Sequence, residues 1–208
     1  MNPVQWLRSG RESLTLYVFV IVLFVVGVVF GTLMYNALTL EQQEVLAGEV
    51  SHYAEVFKAG IMPEVDGSLR DRAIFYGKWL LLIWLLGITV VGLPVILALD
   101  FMKGVLIGFS VGALISQHEW KGLLFAMASI APPNLIVIPA LIMASVSGLT
   151  FSLYVIRQRL IGKGGDLVQP LLSHTAASLL LLLVLWGAAL VEVYLSPYII
   201  AWAAPYLV

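Results

Sequence analysis

Long apolar stretches alternate with short polar stretches along this chain, and the pattern predicts membrane-spanning helices. A spanning helix needs about 20 predominantly apolar residues. Five stretches are candidates, the third of them short: residues 14–35, 78–99, 104–117, 134–156 and 167–191. The first is longer than the apolar core of a cleaved signal peptide, so we expect it to be retained as an anchor. The fold class predicted is an all-α polytopic integral membrane protein with about five transmembrane helices.

Prolines interrupt this pattern at two places. Pro94 removes a backbone donor within residues 78–99 and predicts a kink. Pro132, Pro133 and Asn134 break the apolar run 122–156. The expected result is a broken or re-entrant half-helix near residues 131–134, followed by a full span.

Two further prolines fall near the ends of predicted helices. Pro139 is counted as part of the same helix break. Ser196 and Pro197 are expected to end the last helix, and the remainder of the chain is too short to cross again. Residues 78–208 are thus expected to form one transmembrane bundle.

The distribution of charge orients the chain. Cytoplasmic loops of membrane proteins carry an excess of Lys and Arg. With residues 1–13 inside and five crossings, the inward segments have more bases than acids and the outward segments more acids than bases. A cytoplasmic N-terminus and an extracytoplasmic C-terminus follow. Six crossings, with the half-helix promoted to a full span, remain the alternative.

One sizeable polar segment, residues 36–77, faces outward on this topology. Thr39 and Gln42 fit a capping box, and the spacing that follows predicts an amphipathic helix over residues 40–59. This helix either lies on the membrane or bundle surface, or presents a docking face for an extracytoplasmic partner. Its candidate partner-binding residues are Leu46, Val50, Tyr53 and Phe57.

Small residues recur at helical spacing and predict close helix packing. In lipid, such residues allow two helix backbones to approach each other. The stripes consist of Gly27 and Gly31; of Gly104, Gly108, Gly112 and Ser116; and of Ala140, Ala144 and Gly148. They are expected to hold the bundle, or a homodimer, together.

Composition excludes several classes of function. The 208 residues are 61% hydrophobic and only 11% charged, whereas soluble domains have about 25% charged residues. The net charge of −1 gives no basic footprint for nucleic acid. The chain has no cysteine and three dispersed histidines, so we predict no metal site. No phosphate-binding loop motif is present, and no cofactor is expected.

The residues around Ser110 allow two interpretations, a serine nucleophile and a site of helix packing. Gly108 and Gly112 flank Ser110 as in hydrolase motifs, and His174 is a possible base. The strand-to-helix turn that gives this motif its meaning cannot exist inside a transmembrane helix. The glycines are better explained by packing, and the chain is predicted not to be an enzyme.

Ionisable residues are scarce within the predicted spans. Asp100 and Lys103 are expected at a membrane interface, paired or extended toward water, and Glu192 at a span end. A charge-coupled transporter is therefore disfavoured. The broken helix at Pro132-Pro133-Asn134 nevertheless keeps a transporter or channel-like protein as the alternative function.

Several blocks of sequence together carry a family pattern. They are residues 87–96 (GITVVGLPVI), 101–104 (FMKG), 108–112 (GFSVG) and 133–140 (PNLIVIPA), with shorter matches around Phe30-Gly31, at 154–159 and at 192–197. In order and spacing, these blocks resemble the stage II sporulation protein M family over nearly the whole chain. The resemblance is weakest in the outward segment, residues 41–73.

The resemblance implies a membrane protein of endospore-forming bacteria that acts in engulfment of the forespore. Members of this family are similar to scaffolds: they assemble an amidase and endopeptidase (stage II sporulation protein P) and a lytic transglycosylase (stage II sporulation protein D). Together these proteins thin the septal cell wall. The expected location is the mother-cell membrane at the sporulation septum, and the expected partners are these hydrolases and the lipid bilayer.

Overall fold

A computed structural model describes residues 3–58, 65–160, 167–203 and 205, and this part of the chain contains helices and no strand. The helices are α1 (Pro3–Asn36), α2 (Leu40–Lys58), α3 (Val65–Ile88), α4 (Gly92–Ser129), α5 (Ala131–Leu160), α6 (Val168–Leu190) and α7 (Ser196–Ala203), with a π-helical segment (Val191–Leu195) between the last two. The prediction of an all-α chain with long apolar helices is confirmed.

Four described stretches are long and apolar enough to cross a membrane. They are Ser13–Asn36, Gly92–Ser116, Ala131–Gln158 and Val168–Ala203. Helix α3 is not among them because charged residues occupy its first turns, although its second half is apolar. The helix predicted over residues 40–59 is present as α2, and the Thr39 and Gln42 side chains cap it reciprocally at 3.4 and 3.1 Å.

The predicted span 78–99 is wrong, because it is divided between α3 and α4. Helix α3 ends at Ile88 and α4 begins at Gly92, so Pro94 lies in the first turn of α4. A proline in the first turn of a helix loses no helical hydrogen bond, because the first N–H groups have no partner within the helix, so the expected cause of a kink is removed. The Thr89 hydroxyl closes the turn by accepting the N–H of Gly92 at 3.1 Å. Glycine is required at position 92 because a Cβ would overlap the carbonyl oxygen of Leu86.

The predicted separate span 104–117 is also wrong, since α4 runs without interruption from Gly92 to Ser129. The expected half-helix is the last part of α4. The chain breaks at Ile130, whose carbonyl accepts the Asn134 amide at 2.8 Å, and Pro132 and Pro133 open α5.

Pro139 was assigned to the helix break, but α5 continues through it. The Pro139 ring lies on the exposed surface of the helix. Membrane helices tolerate such a proline because the one lost hydrogen bond is compensated by local adjustment.

The expected helix end at Ser196-Pro197 is likewise wrong. Because Pro197 has no N–H to donate, the preceding turn widens, and the Ser196 N–H bonds to the carbonyl of Val191, five residues earlier.

Helices α1 and α4 pack directly against each other and run parallel. Phe24 lies against Gly104, and Thr32 lies against Gly112, so residue numbers rise together along the contact. A Cβ at Gly108 would overlap the carbonyl oxygen of Val28, which shows how closely the two backbones approach.

The same contact includes most of the predicted glycine stripes. Gly27 lies against the backbone of Phe101, and Gly31 against that of Val105. The Thr32 hydroxyl also donates to the carbonyl of Gly108 at 3.1 Å, a bond between the two helices. Ser116, the last residue of the α4 stripe, is exposed.

The central core lies between α3, α5 and α6. Ala140 and Ala144 of α5 are buried there among larger apolar side chains. Gly148 of α5 faces Gly87 of α3, and a Cβ at Gly148 would be 3.3 Å from the Gly87 Cα. The α5 stripe thus packs against α3, and this contact holds the α3–α4 turn close to α5.

Candidate functional site

A polar cluster joins the first half of α3 to the π-helical segment. Glu192 accepts a hydrogen bond from the Tyr76 hydroxyl at 2.5 Å and forms an ion pair with Arg72 at 3.3 Å. Arg72 and Tyr76 are four residues apart, and therefore lie on one face of α3. The wide π-helical turn presents Glu192 toward that face, and π-helical turns occur often at functional sites.

This cluster lies at one wall of a pocket of about 300 Å³. The opposite walls come from α4 and from the start of α5, including Lys103, Pro133 and Asn134. The helix break on which the transporter alternative depends therefore borders this pocket. Ser110 also lines it, and its hydroxyl donates to the carbonyl of Leu106 in its own helix at 2.9 Å.

Asp100 and Lys103 lie within the apolar stretch Gly92–Ser116. Because α3 ends early, α4 begins twelve residues before Gly104 and includes both side chains. The two side chains form no ion pair in the described part of the structure. Asp100 is buried and accepts the hydroxyl of Ser145 in α5 at 2.9 Å, whereas Lys103 lines the pocket.

Glu192, expected at a span end, lies within the 36-residue apolar stretch Val168–Ala203, which is longer than one crossing needs. Asp100, Lys103 and Glu192 thus all lie within apolar stretches that are candidates to cross a membrane. Because a charge in hydrocarbon costs several kcal/mol unless it has a partner, such residues mark functional positions.

The residues weighed as a serine protease pair are not brought together. The Nδ1 atom of His174 is 2.8 Å from the hydroxyl of Ser147, and the His174 ring stacks on Phe151. Ser110 instead lines the pocket beside Glu192. Within the described ranges, no group of three His, Cys, Asp or Glu side chains is placed to hold a metal ion.

Helix α2 contacts α4 and α7. Leu46 is half-buried, while Glu41, Glu44 and Val45 are exposed on another part of the helix. The side chains of Val50, Tyr53 and Phe57, also proposed to bind a partner, lie outside the described residues. Helix α2 therefore rests on the protein's own bundle and still leaves one surface open.

Sequence reasoning missed the cluster of Arg72, Tyr76 and Glu192. Arg72 was assigned to an outward loop and Glu192 to a helix end, so no pattern connected them. The spacing of Arg72 and Tyr76 on one helical face, together with an acid just before Ser196-Pro197, is the signal that was available.

Comparison with protein families shows which family the chain resembles. Residues 20–197 match the model of the family described as Stage II sporulation protein M. The chain belongs to this family. No curated protein and no solved structure shows significant similarity to the chain. The family consists of sporulation membrane proteins and is not known as a catalytic family. The resemblance predicted from the sequence is therefore confirmed.

Proposed function

We propose that the protein is a non-catalytic membrane scaffold that assembles peptidoglycan hydrolases, stage II sporulation proteins D and P, at the sporulation septum. The observation that carries this proposal is the family match over residues 20–197. In this role the protein sits in the mother-cell membrane and supports thinning of the septal wall during engulfment of the forespore.

The proposal includes five crossings with a cytoplasmic N-terminus. It is supported by the parallel contact of α1 and α4, because the chain between them must return to the face where α1 began. Helix α3 has 24 residues and is about 36 Å long, which is enough for that return. Helix α2 then lies outside the cytoplasm, on the side where the hydrolases act.

The partner surface that we propose is the open surface of α2. Its exposed residues Glu41, Glu44 and Val45 combine charge with an apolar side chain, as the rim of a protein interface does. Contacts with α4 and α7 hold α2 in a fixed position, so partners meet a preformed surface.

Affinity purification from sporulating cells tests this function. The amount of hydrolase that is recovered with the Val45→Asp variant should fall at least about fivefold. The reason is that a carboxylate within an interface costs over about 1 kcal/mol of binding free energy. The matched control is Val91→Asp, which alters another exposed valine, in the α3–α4 turn. Absence of both hydrolases from the wild-type preparation, with the protein intact, contradicts the scaffold.

A second candidate, a transporter, is favoured by one observation: the α4–α5 break borders a polar pocket. A carrier exposes its site to each face in turn. Thiol labelling of Asn134→Cys by an impermeant reagent from both sides of vesicles would support transport. Labelling from one side alone would contradict it.

A further inference from the structure

The charges of the pocket between α3, α4 and the π-helical segment do not balance. Arg72 and Lys103 contribute two positive charges, and Glu192 contributes one negative charge. The Glu192 carboxylate is already satisfied, since one oxygen pairs with Arg72 and the other accepts the Tyr76 hydroxyl. Lys103 has no hydrogen bond or ion-pair contact within the described part of the chain, so one positive charge is left over.

The position of Lys103 makes this excess unusual. Lys103 lies within the apolar stretch Gly92–Ser116, where a lone ammonium is costly and normally has a counter-ion. It is largely shielded by its neighbours but borders a space of about 300 Å³. The pocket thus offers both a cation and the room for an anion.

The walls of the pocket indicate where the anion comes from. Phe75 and Leu106 line it, and these side chains are 44% and 53% exposed on the surface of the bundle. In a bilayer this surface faces lipid, so the pocket is accessible to the headgroup of a lipid whose acyl chains lie along α3 and α4.

We propose that this pocket binds a phosphate group with one negative charge, with Lys103 as its main cation and Arg72 as the second. A phosphate diester of an anionic lipid has this charge, and a phosphate-sized group fits the space. Binding neutralises the net charge of the pocket. The ion pair of Arg72 and Glu192 is not disturbed, because the Arg72 guanidinium has further N–H donors. This site is independent of the open α2 surface proposed for the hydrolases.

Titration of the full-length protein in a neutral detergent tests the site. Dioctanoyl phosphatidylglycerol is compared with dioctanoyl phosphatidylcholine and with inorganic phosphate, and binding is followed by calorimetry. The wild-type protein should bind phosphatidylglycerol. The Lys103→Gln substitution should weaken the affinity for this lipid at least about fivefold, because that is the contribution of one cation near a membrane surface. Lys78→Gln, which alters an exposed lysine of α3 outside the pocket, should bind as the wild type does.

Two more variants separate charge from folding. Lys103→Arg keeps the cation and should retain binding. Among the described residues that line the pocket, Glu192 has the one carboxylate, so Glu192→Gln should strengthen binding, a direction that a damaged fold would not give. Binding of inorganic phosphate by the wild type, lost in Lys103→Gln, supports the same chemistry with a soluble source. Equal binding of phosphatidylcholine, or Lys103→Gln binding phosphatidylglycerol as tightly as wild type, overturns the proposal.

Discussion

Tyr76 of α3 donates a hydrogen bond to Glu192 of the π-helical segment, with 2.5 Å between the two oxygens. The acceptor is also paired with Arg72, so this bond holds the widened turn against α3. Tyr76→Phe should lower thermal stability in detergent by about 1.5–3 kcal/mol, the range for bonds to charged groups. Tyr198→Phe, at an exposed tyrosine, should have no measurable effect. Equal stability of the two variants would show that the bond contributes little.

The contact between α1 and α4 leaves no space for a side chain at position 108. In the Gly108→Ala variant, the new methyl group would overlap the backbone of Val28 and push the helices apart. We expect a loss of about 1–3 kcal/mol in thermal unfolding. The control is Gly187→Ala in α6, because Gly187 has open space around it. This variant should be more stable by up to about 1 kcal/mol, since alanine has a higher helix propensity than glycine. A stable Gly108→Ala protein would argue against this packing.

Two serines of similar sequence context should respond differently to substitution. The buried Ser152 hydroxyl donates to the carbonyl of Gly87 at 2.5 Å and is 3.2 Å from that of Thr89, so it holds the α3–α4 turn. Ser152→Ala should cost about 1–3 kcal/mol. Ser110→Ala should change stability by less than about 0.5 kcal/mol, because Ser110 bonds only within its own helix. Loss of function in a Ser110→Ala protein that stays folded and still recovers the hydrolases would be evidence for a chemical role.

The chain has no cysteine, which makes its topology directly measurable. With five crossings, an impermeant thiol reagent added to intact cells should label Glu44→Cys in α2 but not Val91→Cys in the α3–α4 turn. Both residues are exposed in the fold, so both should react once the membrane is opened. Labelling of both variants in intact cells would mean that α3 does not cross.

Much of the helical layout could be predicted from the sequence, because apolar length and capping residues are local signals. The anchor α1 and the capped helix α2 depend on such signals. The boundary between α3 and α4 does not, since Pro94 is compatible with a kink and with a first helical turn. The bond from Ser152 to Gly87 favours the turn, and no local pattern contains that contact.

The pocket could be predicted only in part. The break before Asn134 was visible as two consecutive prolines, whereas the positions of Lys103 and Glu192 depended on where each helix begins and ends. Once α4 begins at Gly92 and the last helix continues past Pro197, both charges fall within apolar helical stretches and line one pocket. Small errors in helix boundaries therefore hid this polar site.

The parallel contact of α1 and α4 has a consequence for biosynthesis. Helix α1 enters the bilayer first, but the backbone that it packs against is made only after α2 and α3 have been synthesised. Until then, Gly27 and Gly31 form an open notch in a lone helix. Closure of this pair thus waits for the synthesis of α4, and a chain stalled before Gly104 would keep its first helix without its native neighbour.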